Sequence, residues 1–275
     1  MKLATVRTAS GTRAARVEGD SLVLLPIADV SALLAQPRWI DLAGSAGEVV
    51  ALDEAALAPV VPRPPKIICL GLNYMRHIRE MGREPPDFPT IFAKYTSALI
   101  GPRDEIAMPT VSENMDWEVE LGVVIGTVAR HVTVDTALQH VAGYTVVNDI
   151  TARDWQRRTT QFLQGKTFEG TTPVGPYIVT ADELPVGAAG LEVRCEVDGV
   201  LMQHDTTAEL IFSVAQTIAY LSQILTLEPG DLIATGTPDG VGAGRTPPVW
   251  LQPGQTVRTA IEGVGELINV CSSRQ

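Results

Sequence analysis

Three cysteines, Cys69, Cys195 and Cys271, are all that the 275 residues contain. An odd number at wide spacing excludes a disulfide-stapled scaffold, and no Cys/His cluster has zinc spacing. Two of the three lie in apolar strand-like runs (KIICLGL, INVCSS), so they read as reduced core residues of a cytosolic protein. Basic residues are scarce as well, 21 against 32 acidic ones, and the resulting formal charge of −11 repels a phosphate backbone and an anionic membrane alike. With aromatics at only 5%, no nucleic-acid partner is expected. Long hydrophobic runs are missing: the best, Leu121 to Ala129, is broken by glycines and followed by Arg130 and His131, so no membrane span is expected. The N-terminus has neither the apolar segment of a signal peptide nor the amphipathic pattern of a transit helix, which leads to the expectation of a cytoplasmic chain, mature from its first residue. No G-x-S-x-G elbow appears for a serine hydrolase.

What is present is a chain with 45% hydrophobic residues, enough for a large core and a small appended domain. Short strand-like runs fill the first sixty residues, with helical patches at Asp29–Leu34 and Asp53–Leu57. The run Pro59-Val-Val-Pro-Arg-Pro-Pro65 reads as a stiff connector, which divides a small N-terminal β-rich domain (1–62) from a main domain (63–275). Beyond it β-rich runs dominate, and convincing helices are limited to Val134–Val141, Thr151–Thr159 and Ala208–Gln223. Strands do not alternate with long helices, so the expected class is α+β, mostly β, a mixed roll or sandwich. The proline-rich segment Gly82–Pro89 reads as a loop of the kind that often lids a site.

The strongest local feature is the run Trp117–Gly126, in which period-two geometry places Glu118 and Glu120 on one face of a strand. An exposed strand face would accommodate them without function. The remainder of the run is apolar, however, and two acids on a buried strand raise each other's pKa unless a cation lies between them. Oxygen ligands of that kind suit Mg²⁺, Mn²⁺ or Ca²⁺. Asp149 follows where a β-run ends and a helix is expected to begin, a position that fits a third ligand and a helix N-cap equally. Four and seven residues on, Arg153 and Gln156 can face the same pocket, and a fixed guanidinium beside the acids suits a substrate carboxylate, or merely a surface acid.

His77 and Glu80, three apart, share a face if a short helix forms, and a carboxylate beside an imidazole makes a water-activating pair, although the same spacing is common on solvated helices. Lys166, held among glycines and turn residues, can stabilise an enolate oxygen or be a solvated loop lysine. The run Thr235–Gly244 lacks nucleotide-loop spacing; it reads as a tight loop whose amides and Thr237 hydroxyl contact a small anion. His131, His140 and His204 read as surface or structural residues.

From Lys66 onward the chain carries, in order, G-L-N-Y-x-x-H-x-x-E at 71–80, I-F-A-K at 91–94, I-G-P at 100–102, W-E-V-E-L-G-V-V-I-G at 117–126, N-D-I-T-A-R-D-W-Q at 148–156, G-K-T-F at 165–168, P-V-G-P at 173–176 and T-G-T-P-x-G-V-G at 235–242. This set resembles the fumarylacetoacetate hydrolase superfamily. It implies a mixed β-roll catalytic domain, a homodimer, and a divalent metal (Mg²⁺, with Mn²⁺ or Ca²⁺ able to substitute) on Glu118, Glu120 and Asp149. His77 and Glu80 match the family's water-activating pair on a mobile lid, and Lys166 its enolate lysine. Arg153, Gln156, Lys94 and Thr237 match positions around the substrate. Thr167, Glu169 and Thr171–Thr172 depart from frequent family residues, which bears on substrate choice.

The implied activity is hydrolysis of a C–C bond in a small anionic 2-oxo acid or 1,3-dicarbonyl compound, of acylpyruvate or fumarylpyruvate type, through a metal-bound enolate. Without water attack, the same chemistry gives decarboxylation or isomerisation, and the chain also resembles isomerases of dienedioates in aromatic catabolism. The reading from another class is a non-catalytic metal and carboxylate binder, against which the water-activating pair speaks.

Overall fold

The computed structural model describes residues 1–53 and 55–274. The apolar run after Trp117 forms a strand, Val119–Ile125, whose residues are all buried, as expected of a strand covered on both faces. It pairs antiparallel with Val141–Asn148 on one side and Leu232–Ala234 on the other, at the middle of an 11-stranded sheet. From edge to edge that sheet runs Glu48–Ala51, Ser21–Leu24, Gly11–Glu18, Lys2–Thr8, Thr172–Thr180, Val141–Asn148, Val119–Ile125, Leu232–Ala234, Ile67–Gly71 and Thr90–Ala93; Leu99–Ile100 pairs beside Thr172–Thr180. Two pairings are parallel, Leu232–Ala234 with Ile67–Gly71 and Leu99–Ile100 with Thr172–Thr180. The segment before Pro59 thus adds four strands through the Lys2–Thr8 ladder, and Val60 and Val61 of the connector are buried in the core.

A second sheet contains Val200–Thr206, Glu192–Val197, Thr256–Ile261, Gly265–Arg274 and Ile106–Met108. Alternation along Val119–Ile125 sends Leu121, Val123 and Ile125 into the core shared with Val193, Cys195, Val257 and Leu267 of this second sheet. Val124 joins the other core, with Cys69, Val147 and the helix Val30–Leu34, which is capped by the Asp29 carboxylate on Ala32 N (2.8 Å). The architecture is therefore the mixed, mostly β fold expected, and the three cysteines are free and buried. No helix of the described residues is long and apolar enough to cross a membrane.

The helices are shorter than the sequence pattern suggests, for identifiable reasons. Thr151–Ala152 is taken into a two-strand ladder with Met115–Asp116, so the expected Thr151–Thr159 helix is reduced to Arg153–Gln156. Val134–Ala137 passes into a 3₁₀ turn, Leu138–His140, before the strand at Val141. The long helix starts at Val214, where Ser213 and Gln216 form a capping box, and runs to Ile224. In the patch expected at 53–57, Glu54 lies outside the described residues, and Leu57 forms a β-bridge with Val6.

Candidate active site

Period two holds at the start of the central strand: Glu118 and Glu120 are 3% and 1% exposed, which disposes of the solvated-face reading. Asp149, just past the end of the neighbouring strand Val141–Asn148, is fully buried, and its backbone N–H donates to Glu118 O (2.8 Å). One carboxylate oxygen from each of the three lies within 4.8 Å of the others. Asp149 is not a helix N-cap; the helix begins at Arg153 with Ala152 as its cap, and the Asp149 oxygens go to lysines instead.

Cations surround this cluster. Lys166 Nζ lies 2.6 Å from Glu118 Oε2 and 2.7 Å from Asp149 Oδ2, and Lys94 Nζ lies 2.5 Å from Asp149 Oδ1. Arg153 Nη2 is 2.5 Å from Glu118 Oε1, while its Nε donates to Asp116 Oδ2 (2.7 Å) and its Nη1 to Gln156 Oε1 (3.1 Å). The Nη2 contact is a close charge-assisted pair, so Asp116, Glu118 and Gln156 together hold the guanidinium in place. Burial works to raise the Glu118 carboxyl, but Lys166 and Arg153 overcome it and hold it at about 2. For Glu120 burial, then the Asp149 and Glu118 charges, push the carboxyl well above the usual range. Burial would lower Lys166 and Arg153, but the facing carboxylates keep both above their ordinary values.

With Glu120 ionised, Asp116, Glu118, Glu120 and Asp149 face three buried cations, Lys94, Arg153 and Lys166, one positive charge short. Among the described residues, Glu120 is the acid of this cluster without an ion-pair partner. An all-oxygen donor set with an uncompensated carboxylate fits a hard divalent cation such as Mg²⁺ or Mn²⁺, which leaves the site net positive and open to an anion.

A cavity of about 370 Å³ opens onto the cluster. Glu118, Glu120, Arg153, Gln156, Lys166 and Thr237 line it, as does His77, from the short helix Met75–Glu80 that covers it. His77 Nδ1 lies 3.1 Å from Glu80 Oε2, the i, i+3 pairing expected. Two of the expected substrate-side residues are held by the protein itself. Lys94 does not line the cavity; it stands behind Asp149, fully buried. Thr237 lines it, but its hydroxyl donates to Val119 O (3.0 Å) and accepts from Gln203 Nε2 (2.8 Å), so its proton is committed to the scaffold.

The glycine-rich loop is corrected too, because its amides are already occupied by the protein's own acids. Gly236 N donates to Glu120 Oε2 (2.8 Å), Gly240 N to Glu80 Oε1 (2.9 Å), Gly242 N to Asp116 Oδ1 (2.7 Å) and Ala243 N to Asp116 Oδ2 (3.0 Å). Asp116 went unnoticed in the sequence although the period-two alternation of Glu118 and Glu120 extends back to it. Arg83 and Arg157 also line the cavity, as do Phe92 and Phe162, and no local pattern marks them. Neither arginine has an ion-pair partner among the described residues.

Known proteins are similar to this chain over most of its length. Oxaloacetate tautomerase FAHD2B of Bos taurus is 46% identical over 215 residues, covering 78% of this chain and 68% of the relative. Among solved structures, the fumarylacetoacetate hydrolase of Exiguobacterium antarcticum matches with a TM-score of 0.85 at 34% identity, each chain fully covered. Maleylpyruvate hydrolase from Sphingobium sp. SYK-6 matches with a TM-score of 0.80 at 30% identity over 99% of both chains. The fumarylacetoacetate (FAA) hydrolase C-terminal family matches residues 66–271, the stretch that carries every carboxylate and cation of this site. On fold, site and sequence together, this chain is an enzyme of the fumarylacetoacetate hydrolase family.

Proposed function

We propose that the enzyme interconverts the keto and enol forms of a small 2-oxo diacid of the oxaloacetate type. The observation that carries this reading is that the three-acid cluster, with Glu120 left without an ion-pair partner among the described residues, shares one cavity with the buried Arg153 and Lys166. Glu118, Glu120 and Asp149 would hold a divalent cation, for which Mg²⁺ is the ion proposed, and it would supply Lewis-acid stabilisation of negative charge on the 2-oxo oxygen. Arg153 takes the adjacent carboxylate, and Gln156 fixes its guanidinium (3.1 Å). Lys166, with two of its three N–H bonds on Glu118 and Asp149, offers the third to the developing enolate oxygen. Glu80 orients the His77 ring through Nδ1, so Nε2 is the nitrogen left for proton transfer. His77 Nε2 takes a proton from C3 and delivers one to the 2-oxo oxygen, or the reverse, so the imidazole returns to its starting state and no other reactant is consumed. The tautomerase resemblance at 46% identity supports placing this outcome ahead of hydrolysis.

A second reading, C–C hydrolysis of an acylpyruvate or related diketone, is favoured by the His77–Glu80 pair and the likeness to a maleylpyruvate hydrolase. In it His77 takes a proton from water, the hydroxide adds to the distal carbonyl, the C–C bond breaks, and the released enolate is protonated at C3, giving two acids. The family resemblance also supports a homodimer, which light scattering tests.

The deciding experiment follows enol-oxaloacetate loss and the breakdown of acylpyruvates, maleylpyruvate and a dienedioate, with Mg²⁺ or Mn²⁺ and with chelator. It is run on wild type and Glu118→Ala. Metal-dependent turnover that vanishes in the variant supports the mechanism, and the product assigns the reaction. Turnover indifferent to both chelator and variant overturns it.

A further inference from the structure

Asp116 is fully buried, and both its oxygens are saturated by donors from three parts of the chain. Oδ1 accepts from Trp117 N (2.9 Å) and Gly242 N (2.7 Å); Oδ2 accepts from Arg153 Nε (2.7 Å) and Ala243 N (3.0 Å). On one side the Arg153 it orients reaches Glu118 Oε1 at 2.5 Å. On the other, the loop it grips is the seat of the lid: Gly240 N holds Glu80 Oε1 at 2.9 Å, and Glu80 Oε2 holds His77 Nδ1 at 3.1 Å. The seat is closely fitted. A Cβ on Gly244 would lie 2.3 Å from Glu80 Cδ, and Trp117 Nε1 donates to Gly240 O (3.2 Å) from the residue next to Asp116.

We propose that Asp116 is a positioning residue that couples the seating of the His77–Glu80 lid on the 240–244 loop to the geometry of the acid cluster, through Arg153 and Glu118. The chemistry explains why an aspartate is needed. Four donors converge on one side chain, and only an ionised carboxylate presents acceptors on both oxygens. Seating the lid draws the loop onto Asp116; a displaced loop leaves Asp116 free to shift, and Arg153 with it. Coupling of this kind is reciprocal, so whatever orders the acid cluster must also favour the seated lid.

The proposal rests on reading Glu118, Glu120 and Asp149 as cation ligands, but its test needs no substrate. Asp116→Asn keeps the shape and turns an acceptor into a donor facing other donors. Two quantities are measured on the full chain: Mn²⁺ affinity by calorimetry, and hydrogen exchange of the lid amides, of which Ile78, Met81, Gly82 and Arg83 are hydrogen-bonded within the lid. The expected result is Mn²⁺ binding weakened at least tenfold together with lid exchange accelerated at least tenfold. Weakened Mn²⁺ binding with an unchanged lid would make Asp116 a local brace for Arg153 and overturn the coupling; so would a loosened lid with unchanged affinity, or no change in either. If Asp116→Asn does not fold, Gly244→Ala serves, since it alters no charge and its nearest clashes are all with the Glu80 side chain. Coupling requires it to weaken Mn²⁺ binding several-fold, and unchanged affinity overturns it. Absence of turnover on every 2-oxo acid would sink the proposed reaction and leave these outcomes standing.

Discussion

The Lys94 ammonium lies 2.5 Å from the Asp149 carboxylate, and solvent reaches neither side chain. Removing one partner of such a pair strands a buried charge, at a cost of about 3–5 kcal/mol when nothing else compensates. Asp149 keeps Lys166 at 2.7 Å, so Lys94→Met should cost less, about 2 kcal/mol and several degrees of melting temperature in the metal-free protein. A divalent cation on Asp149 would restore the missing compensation. The gap between variant and wild type should therefore narrow at saturating Mn²⁺, and thermal melts with Mn²⁺ and with chelator check this. An equal gap in both conditions would mean that Asp149 does not meet the cation.

That pair also marks where reading the sequence stops. Glu118 and Glu120 were legible because strand periodicity and an apolar setting are local, and His77 with Glu80 because three residues separate them on one helical turn. Lys94 meets Asp149 across 55 residues and Asp116 meets Gly242 across 126, contacts that the fold creates. The glycine-rich loop was recognised as a place where amides converge on anions, yet the anions are Glu120, Glu80 and Asp116 rather than a ligand. Helix ends failed for a similar reason. Thr151 and Ala152 follow helical spacing but pair with Asp116 and Met115, and a ladder to a distant segment overrides local propensity.

Glu120 separates stability from function. Burial and the neighbouring Asp149 and Glu118 charges disfavour its ionised form, so without metal its negative charge opposes folding. Glu120→Gln removes that charge at nearly constant volume and keeps an oxygen for Gly236 N, 2.8 Å away in the wild type. In chelator the variant should melt at or above the wild-type temperature, while the stabilisation conferred by Mn²⁺ should largely disappear. A variant that loses stability in chelator yet keeps its gain from Mn²⁺ would remove Glu120 from the cation site.

Gly236 holds φ at +96°, and a Cβ there would come within 2.9 Å of Asn73 Cβ. Asn73 cannot easily give way, because its Nδ2 donates to Thr235 O (2.8 Å) and Phe212 O (3.1 Å). Strain at positive φ and the steric clash should together cost Gly236→Ala about 2–4 kcal/mol. The same change displaces the N–H that fixes Glu120, so Mn²⁺ affinity should fall with stability. Urea unfolding and Mn²⁺ calorimetry on one preparation check both; a stable variant with wild-type affinity would show that this loop is not the seat of Glu120.

Arg83 and Arg157 line the cavity without ion-pair partners among the described residues, and Arg153 already serves one carboxylate in the proposed reaction. Their free guanidiniums give the cavity a second place for negative charge, which favours a diacid over a monoacid of similar size. Each is exposed, so solvent weakens its pull, and Arg83→Ala or Arg157→Ala should raise KM for oxaloacetate about 5- to 20-fold, the equivalent of roughly 1–2 kcal/mol. kcat should hardly change, because His77 and not either arginine moves the proton in the proposed reaction. The discriminating control is acetylpyruvate, whose distal end is uncharged: its KM should stay within about twofold of wild type in both variants. An equal rise for both compounds would mean that the arginines shape the cavity mouth and do not select a second carboxylate. A fall in kcat with KM unchanged would instead place one of them in the transition state.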